Sequence, residues 1–433
     1  MNRRTCVRIY SRHWVLVAVL GCWAALASAA DVGAAQTAMP APLGSHQHGL
    51  RTTADGRLIL SWVETEEDTS RLRFSIREQG GWSTPRTVVT VHLELAAPPV
   101  VLGLSDGALA AAWMVHPAHG YNRYAGEIYL SRSTDGGKHW SEPLKPYSAA
   151  VRVYDAQMSL APLEDGRLAL VWTDQRHKHR YQTRATVVDW EGKSRSEILL
   201  DSDVCSCCET DTAAQGNALW TAYRDHLEGE VRDISLVRWS SAGPARSALV
   251  HNDHWVIEGC PSNGPAVDRR AELTMVSWFT VANSVARAQA GSSDPQSWKD
   301  WITATDGVGR VLTAFSQQGV GHFGKPIEVD SNANGYVNAL LLGDGSALVA
   351  WRDRAGPTEK LQLAQVRQDG TVHGRTTVYH GDFPGWPSRH IGLALVGNSV
   401  YVAWTDPEPE RVRLARIPLA SITGTPGTLT EAE

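Results

Sequence analysis

Short apolar runs, each opened by a polar turn and closed by an aromatic residue, recur along the whole chain. The clearest are DGRLILSW (Asp55–Trp62), DGALAAAW (Asp106–Trp113), DGRLALVW (Asp165–Trp172) and DGSALVAW (Asp344–Trp351). Looser copies are QGNALWTAY (Gln215–Tyr223), AELTMVSW (Ala271–Trp278) and GNSVYVAW (Gly397–Trp404). Alternating stretches such as RLRFSIRE, EIYLSRS and RVRLARI follow several of them, and no long helical periodicity appears. Seven copies at a spacing of fifty to seventy residues predict an all-β chain. The expected architecture is a β-propeller of seven four-stranded blades, one sheet per repeat. A pair of β-sandwiches is the alternative, but sandwiches do not require matching copies.

The repeat also predicts a strand register. One strand precedes each turn, the apolar run is the second, a third follows, and a fourth closes the blade. Four copies share a polar ending, Trp172-Thr-Asp174, Tyr223-Arg-Asp225, Trp351-Arg-Asp353 and Trp404-Thr-Asp406. Each Asp is expected to cap the loop after its strand. The last repeat stops after its third strand near Pro418. The segment 30–44 is therefore expected to supply the missing strand, with the propeller spanning 45–418 and a disordered tail over 419–433.

The first 29 residues read differently. Arg3, Arg4, Arg8 and Arg12 precede the apolar run WVLVAVLGCWAAL and an Ala27-Ser28-Ala29 cleavage site, the pattern of a signal peptide. The expected location is periplasmic or secreted; cleavage as a lipoprotein before Cys22 is the alternative. No other apolar run is long enough to span a membrane. A net charge of −5 with interspersed signs leaves no basic footprint for nucleic acid.

An oxidising compartment changes how the cysteines read. Cleavage removes Cys6 and Cys22, leaving Cys205, Cys207 and Cys208 in DSDVCSCCET, and Cys260 in HNDHWVIEGC. Three readings stay open. One is a disulfide joining Cys208 or Cys205 to Cys260. Another is a copper or zinc site of thiolates with His46, His48 or His390. The third is an exchange-active thiol pair.

SRSTDGGKHW fits the S-x-D-x-G-x-x-W pattern through Ser133, Asp135, Gly137 and Trp140. SIREQGGW (Ser75–Trp82) and SQQGVGHF (Ser316–Phe323) are degenerate copies. Asp135 is suited to hold turn backbone donors and Trp140 to pack between blades, which is a structural role. With this box and the repeats, the mature chain resembles the sialidase-like Asp-box, or bacterial neuraminidase repeat, superfamily over nearly its whole length. YRDHLEGEVRDI, GCPSNGPA and the CxCC motif also look like bacterial proteins labelled sialidase family.

That resemblance implies six blades, an Arg-Ile-Pro stretch supplying one of three substrate-gripping arginines, a Tyr nucleophile with a Glu, and an Asp acid/base. Here the first inner strand reads SHQHGLRTTADG, with His46 nine residues before Asp55 where that Arg would stand. No Arg-Ile-Pro occurs. Catalytic candidates are Tyr223, Arg224, Asp225, Arg232 and Asp233, with Arg224, Arg232 and Arg352 as a candidate arginine cluster and Tyr223 or Tyr336 as nucleophile.

Strand alternation sorts the loops by face. It gathers the four mature cysteines, His46, His48 and His390 at one mouth, with His116, His119, His177, His179 and His226. Asp155, Glu209, Asp211, Asp225, Glu230 and Asp233 fall there too, as loop caps and ion-pair partners or as the paired carboxylates of a glycosidase. Trp255 and Trp386 would stack on sugars or pack between blades, and residues 288–301 would form a lip. Three functions are carried forward: a funnel binding a metal ion or an envelope protein that handles one, a sialidase-type glycoside hydrolase, and a protein-interaction scaffold.

Overall fold

The computed structural model describes residues 35–36, 39–96, 98–116, 125–147, 153–177, 180–188, 190, 197–259, 261–282, 309–355, 358–385 and 388–424. Cys260, His119, His179, Trp386 and the 288–301 insertion therefore lie outside the described residues, as do the side chains of Asp155 and His177. The chain is all-β: almost every regular element is a strand, and the strands run in antiparallel meanders in chain order.

Each apolar run forms the middle of a three-stranded meander. Leu58–Glu66 lies between Ser45–Thr52 and Thr69–Glu78. Leu109–Val115 lies between Val100–Gly103 and Ala125–Ser133. The same arrangement holds around Leu168–His177, Ala218–Arg224, Leu273–Thr280, Ala347–Ala355 and Ser399–Pro407. Outer strands follow at Arg86–Val91, Ile198–Asp201, Gly243–Leu249 and Val372–Gly381. The 15-residue strand Ile327–Leu341 serves two meanders, with register shifts on either side of Gly335. At the chain's end, Ala35 and Gln36 pair antiparallel with Arg416 and Ala415, so both ends share one sheet.

The core consists of apolar layers between successive meanders. Leu102, Leu104 and Ala110 meet Leu168, Leu170 and Trp172 in one layer. Leu50, Leu60 and Trp62 of the first meander meet Ala394, Tyr401 and Leu414 of the last in another. Trp62, Trp172, Trp278 and Trp351 are fully buried in these layers. A buried indole N–H needs an acceptor, and each has a carboxylate. Trp62 donates to Glu64 at 2.7 Å, Trp172 to Asp174 at 2.9 Å, Trp278 to Asp253 at 2.6 Å and Trp351 to Asp330 at 2.5 Å.

This corrects the expected role of Asp174 and Asp406, while Asp225 does hold the first N–H of the loop after its strand. Asp174 and Asp406 do not cap loops; each accepts the indole N–H of the Trp two residues earlier, because positions i and i+2 share a strand face. Asp353 takes the Gln362 amide, and Asp225 accepts the Ser235 hydroxyl and the His226 N–H. The expected disordered tail is corrected at its start. Leu419–Thr423 is a short helix ended by Gly424 at φ 67°, with Ile422 buried and its carbonyl against Gly374.

The Ser133–Trp140 turn is held from within. Asp135 Oδ1 accepts the N–H groups of Lys138 and His139, both at 3.0 Å, and Ser133 Oγ accepts that of Gly137 at 2.8 Å. Trp140 meets Phe74 of the first meander edge-on at 5.9 Å. Gly137 sits at φ 83°, and a Cβ there would lie 2.3 Å from Phe74 Cζ. Gly137→Ala is therefore expected to cost about 2 kcal/mol in urea unfolding, from the backbone conformation and the ring displacement together. The exposed neighbour Lys138→Ala should stay within about 0.5 kcal/mol of the parent.

Candidate functional site

The first strands of the meanders lie side by side. Ser45–Thr52 touches both Val100–Gly103 and Gly392–Val396, and Asp211–Gln215 touches both Val153–Pro162 and Ala266–Arg270. Together they line a cavity of about 610 Å³. Two of its wall carboxylates pin neighbouring strands. Asp211 accepts the N–H groups of Thr212 and Val267, and Asp268 accepts those of Arg269 and Leu341. Burial pushes both carboxyls up, Asp268 to about 6.

At one side of the cavity stand Glu209, Arg389, His390 and Tyr336. Arg389 donates to Glu209 at 2.8 Å, and the Gly264 N–H donates to its other oxygen at 3.1 Å. Burial alone would raise the Glu209 carboxyl, but Arg389 and His390 outweigh it and hold it below the usual range. Tyr336 has φ 55°, a left-handed conformation fixed by Asn263 Oδ1 accepting its N–H at 2.6 Å. Its ring lies 4.3 Å from the Arg352 guanidinium and 5.4 Å from that of Arg389.

Of the three candidate histidines, His48 and His390 line the cavity and His46 does not. His48 Nδ1 meets Thr405 Oγ1 at 3.0 Å, while its buried Nε2 has no hydrogen-bond partner among the described residues. Burial, with His390 nearby, pushes His48 down to about 3. Burial also takes His390 down to about 4. His46 Nε2 instead meets Thr65 Oγ1 at 3.1 Å.

The thiols sit beside this rim, immediately before Glu209 in sequence. Cys205, Cys207 and Cys208 are 5, 5 and 2% exposed. Cys205 Sγ lies 3.4 Å from Cys208 Sγ and 3.6 Å from Cys207 Sγ. Among the described residues this is the only group of three or more such ligand atoms lying within 4.8 Å of one another, and no histidine belongs to it. Cys207 is half of a disulfide, whereas Cys205 and Cys208 are free thiols. The staple expected through Cys208 or Cys205 therefore runs through Cys207, and its other half lies outside the described residues. A hydrogen bond from Cys208 outweighs burial and, with the Arg232 and Arg224 charges, brings Cys205 down to about 6. Burial pushes Cys208 up.

The remaining candidates build the scaffold. Tyr223 is 1% exposed, and its hydroxyl donates to Asp201 at 2.7 Å. Arg224, also 1% exposed, donates to the carbonyls of Asn263, Arg232 and Phe279 and stacks 4.7 Å over Trp255. Asp233 accepts the N–H groups of His254 and Trp255; Arg232 pairs with Glu230 at 2.5 Å. His226 lies between Asp203 at 2.9 Å and Glu230 at 3.2 Å. Trp255 packs edge-on against Phe279 inside the structure, not as a sugar platform. Arg352 is held by both oxygens of Glu359. Arg389 joins Glu209 and His390 at this rim, a unit that the sequence signals only by the adjacent Arg and His in PSRH.

No family model matches the sequence, and no curated protein matches it. Solved structures do. A BP39L lectin from Burkholderia pseudomallei superposes with a TM-score of 0.58 at 12% identity, covering 88% of this chain and 97% of that one. An ulvan lyase of polysaccharide lyase family PL25, bound to a GlcA(1-4)Rha3S unit, gives 0.55 at 11%, covering 89% and 96%. A leech intramolecular trans-sialidase gives 0.44 at 9%, covering 85% and 84%, too distant to carry argument. At such identities the likeness is one of fold alone: an all-β, propeller-like chain.

The two buried histidines set a pH dependence. Their folded pKa values lie below the ordinary 6.5, so their contribution is present above pH 6.5 and is lost as pH falls toward 4. Each steepens the loss by up to roughly 1.4 kcal/mol per pH unit. Asp225 and Asp268, raised to about 6, act oppositely and add stability as pH falls from 6 toward 4. Urea midpoints at pH 7 and pH 4.5 are expected to converge in His48→Gln relative to the parent; an unchanged gap would show that His48 is protonated in the folded chain.

Proposed function

We propose that the chain is an exported, seven-bladed propeller that holds a soft cation between Cys205 and Cys208. The observation that carries this is a pair of free thiols 3.4 Å apart, nearly solvent-excluded. Thiolate selects soft cations, and the neighbouring Arg224 and Arg232 charges favour thiolate. Zinc in a structural site takes four ligands, and the group here offers two thiols besides a sulfur already in a disulfide. Copper(I) is therefore preferred over zinc. The meanders around the apolar runs, with one layer joining the first to the last, support seven blades rather than six. An envelope protein that delivers or receives the ion is the partner this reading implies.

Anaerobic titration with copper(I) against a competing chelator tests it. One equivalent should bind tightly, and both Cys205→Ser and Cys208→Ser should lose it; tight binding that survives the double substitution would overturn the assignment.

A second reading, saccharide binding in the cavity, is favoured by the cavity's size and its polar lining of Glu209, His390 and Tyr336, with Arg389 paired to Glu209. Hydrolysis of the sialidase kind is not part of it. Arg224, Arg352 and Arg389 each already hold carbonyls or a carboxylate, so these three do not form a free clamp. Losing charged bidentate contacts of that kind slows turnover by orders of magnitude. A fluorogenic sialoside should therefore not be turned over; turnover abolished by Tyr336→Phe would show the opposite.

A further inference from the structure

We propose that the Cys205-Ser206-Cys207-Cys208 loop is a thiol–disulfide exchange centre, in which the bond held by Cys207 migrates onto Cys205 and Cys208. The inference goes beyond ion binding and requires no metal. Its basis is that Cys205 Sγ touches both other sulfurs, at 3.6 Å and 3.4 Å, and that only Cys207 is oxidised. Exchange proceeds by attack of a thiolate on a disulfide sulfur, so contact between the two is the geometric requirement.

The first step joins Cys205 Sγ to Cys207 Sγ. The bond between Cys207 and its present partner breaks, and that partner leaves as a thiolate, taking up the proton given up by Cys205. In the second step Cys208, as thiolate, attacks Cys205 Sγ. A Cys205–Cys208 disulfide forms across the C-x-x-C spacing, and Cys207 leaves as a thiolate that takes up the proton of Cys208. One disulfide and two thiols exist before and after, so no oxidant or reductant is consumed. Burial of all three sulfurs restrains external thiols, while the internal attack needs no access. The Cys205 N–H donates to the Arg224 carbonyl at 3.1 Å, which fixes the loop start against a buried strand end while the sulfurs exchange.

The test uses the full chain, stripped of metal with a copper(I) chelator. It is incubated at mildly alkaline pH without added thiol and quenched in acid. Light N-ethylmaleimide traps the thiols; reduction and the heavy reagent then mark the former disulfide positions. Fragment ions between Cys205, Cys207 and Cys208 assign each label. The expected result is a fraction of chains with heavy label on Cys205 and Cys208 and light label on Cys207. In Cys205→Ser that light-labelled Cys207 fraction should fall about tenfold or more, because the relay has lost its first nucleophile. Heavy label confined to Cys207, with Cys205 and Cys208 light in every parent chain, would overturn the proposal. Because the readout is free of copper, its failure would leave the ion-binding titration standing, and the reverse also holds.

Discussion

A tryptophan indole buried between two sheets is the constraint from which most of this structure follows. Its ring fills the layer, but its N–H would be an unmet donor in an apolar slab, at a cost of a few kcal/mol. At Trp62, Trp172, Trp278, Trp351 and Trp404 a carboxylate enters the same slab, and that carboxylate in turn requires a cation or further donors, while Trp239 uses the Thr221 hydroxyl. Asp174 has Arg176, Asp406 has Arg413 and Asp253 has His251. Asp330 has Arg375, whose guanidinium also lies 5.1 Å from the Trp351 ring. The Trp351, Asp330 and Arg375 unit and the Trp404, Asp406 and Arg413 unit bridge neighbouring strands, whereas Trp172, Asp174 and Arg176 lie on one strand.

The site lies where the repeat departs from this rule. The fourth copy ends in Tyr223 instead of Trp, and its hydroxyl reaches Asp201. The following residue, Arg224, is a fully buried cation with no carboxylate ion pair among the described residues; carbonyls and the Trp255 face hold it. Through Arg224 the thiol loop is tied to Asn263, through Asn263 to Tyr336, and from Tyr336 to Arg389 and Glu209. Glu209 follows Cys208 directly in the chain. The sulfurs and the cavity rim are thus one closed circuit of contacts, not two neighbouring features.

The meanders were legible because their signal is local: a Gly turn, an alternating run and a terminal aromatic recur within a few residues of one another. What escaped was set by distance or by a single irregular residue. Asp253 and Asp330 reach Trp278 and Trp351 from 25 and 21 residues upstream, beyond any pattern in the run itself. His46 and His48 have the same parity and would share a face in a regular strand. A register shift between His46 and Gly49, with Gln47 at φ 50°, separates them and leaves only His48 in the cavity. Which cysteine is oxidised depends on the path of a remote segment, which no spacing within CSCC encodes. The helix at Leu419–Thr423 is too short for periodicity; burial of Ile422 beside Gly374 stabilises it.

The circuit has a stiff side and a compliant one, and Glu209 lies where they meet. A Cβ on Gly264 would lie 2.2 Å from the Glu209 carbonyl oxygen, so the backbone there is already in contact and cannot move further toward that strand. Its carboxylate is fixed by Arg389 and the Gly264 N–H. On the other side stand three sulfurs whose contacts are soft and whose bonding can change. Arg389 and His390 are consecutive, and His390 lines the cavity beside His48. The cavity rim and the sulfurs therefore meet at one residue, Glu209, which follows Cys208 directly and carries the Arg389 ion pair.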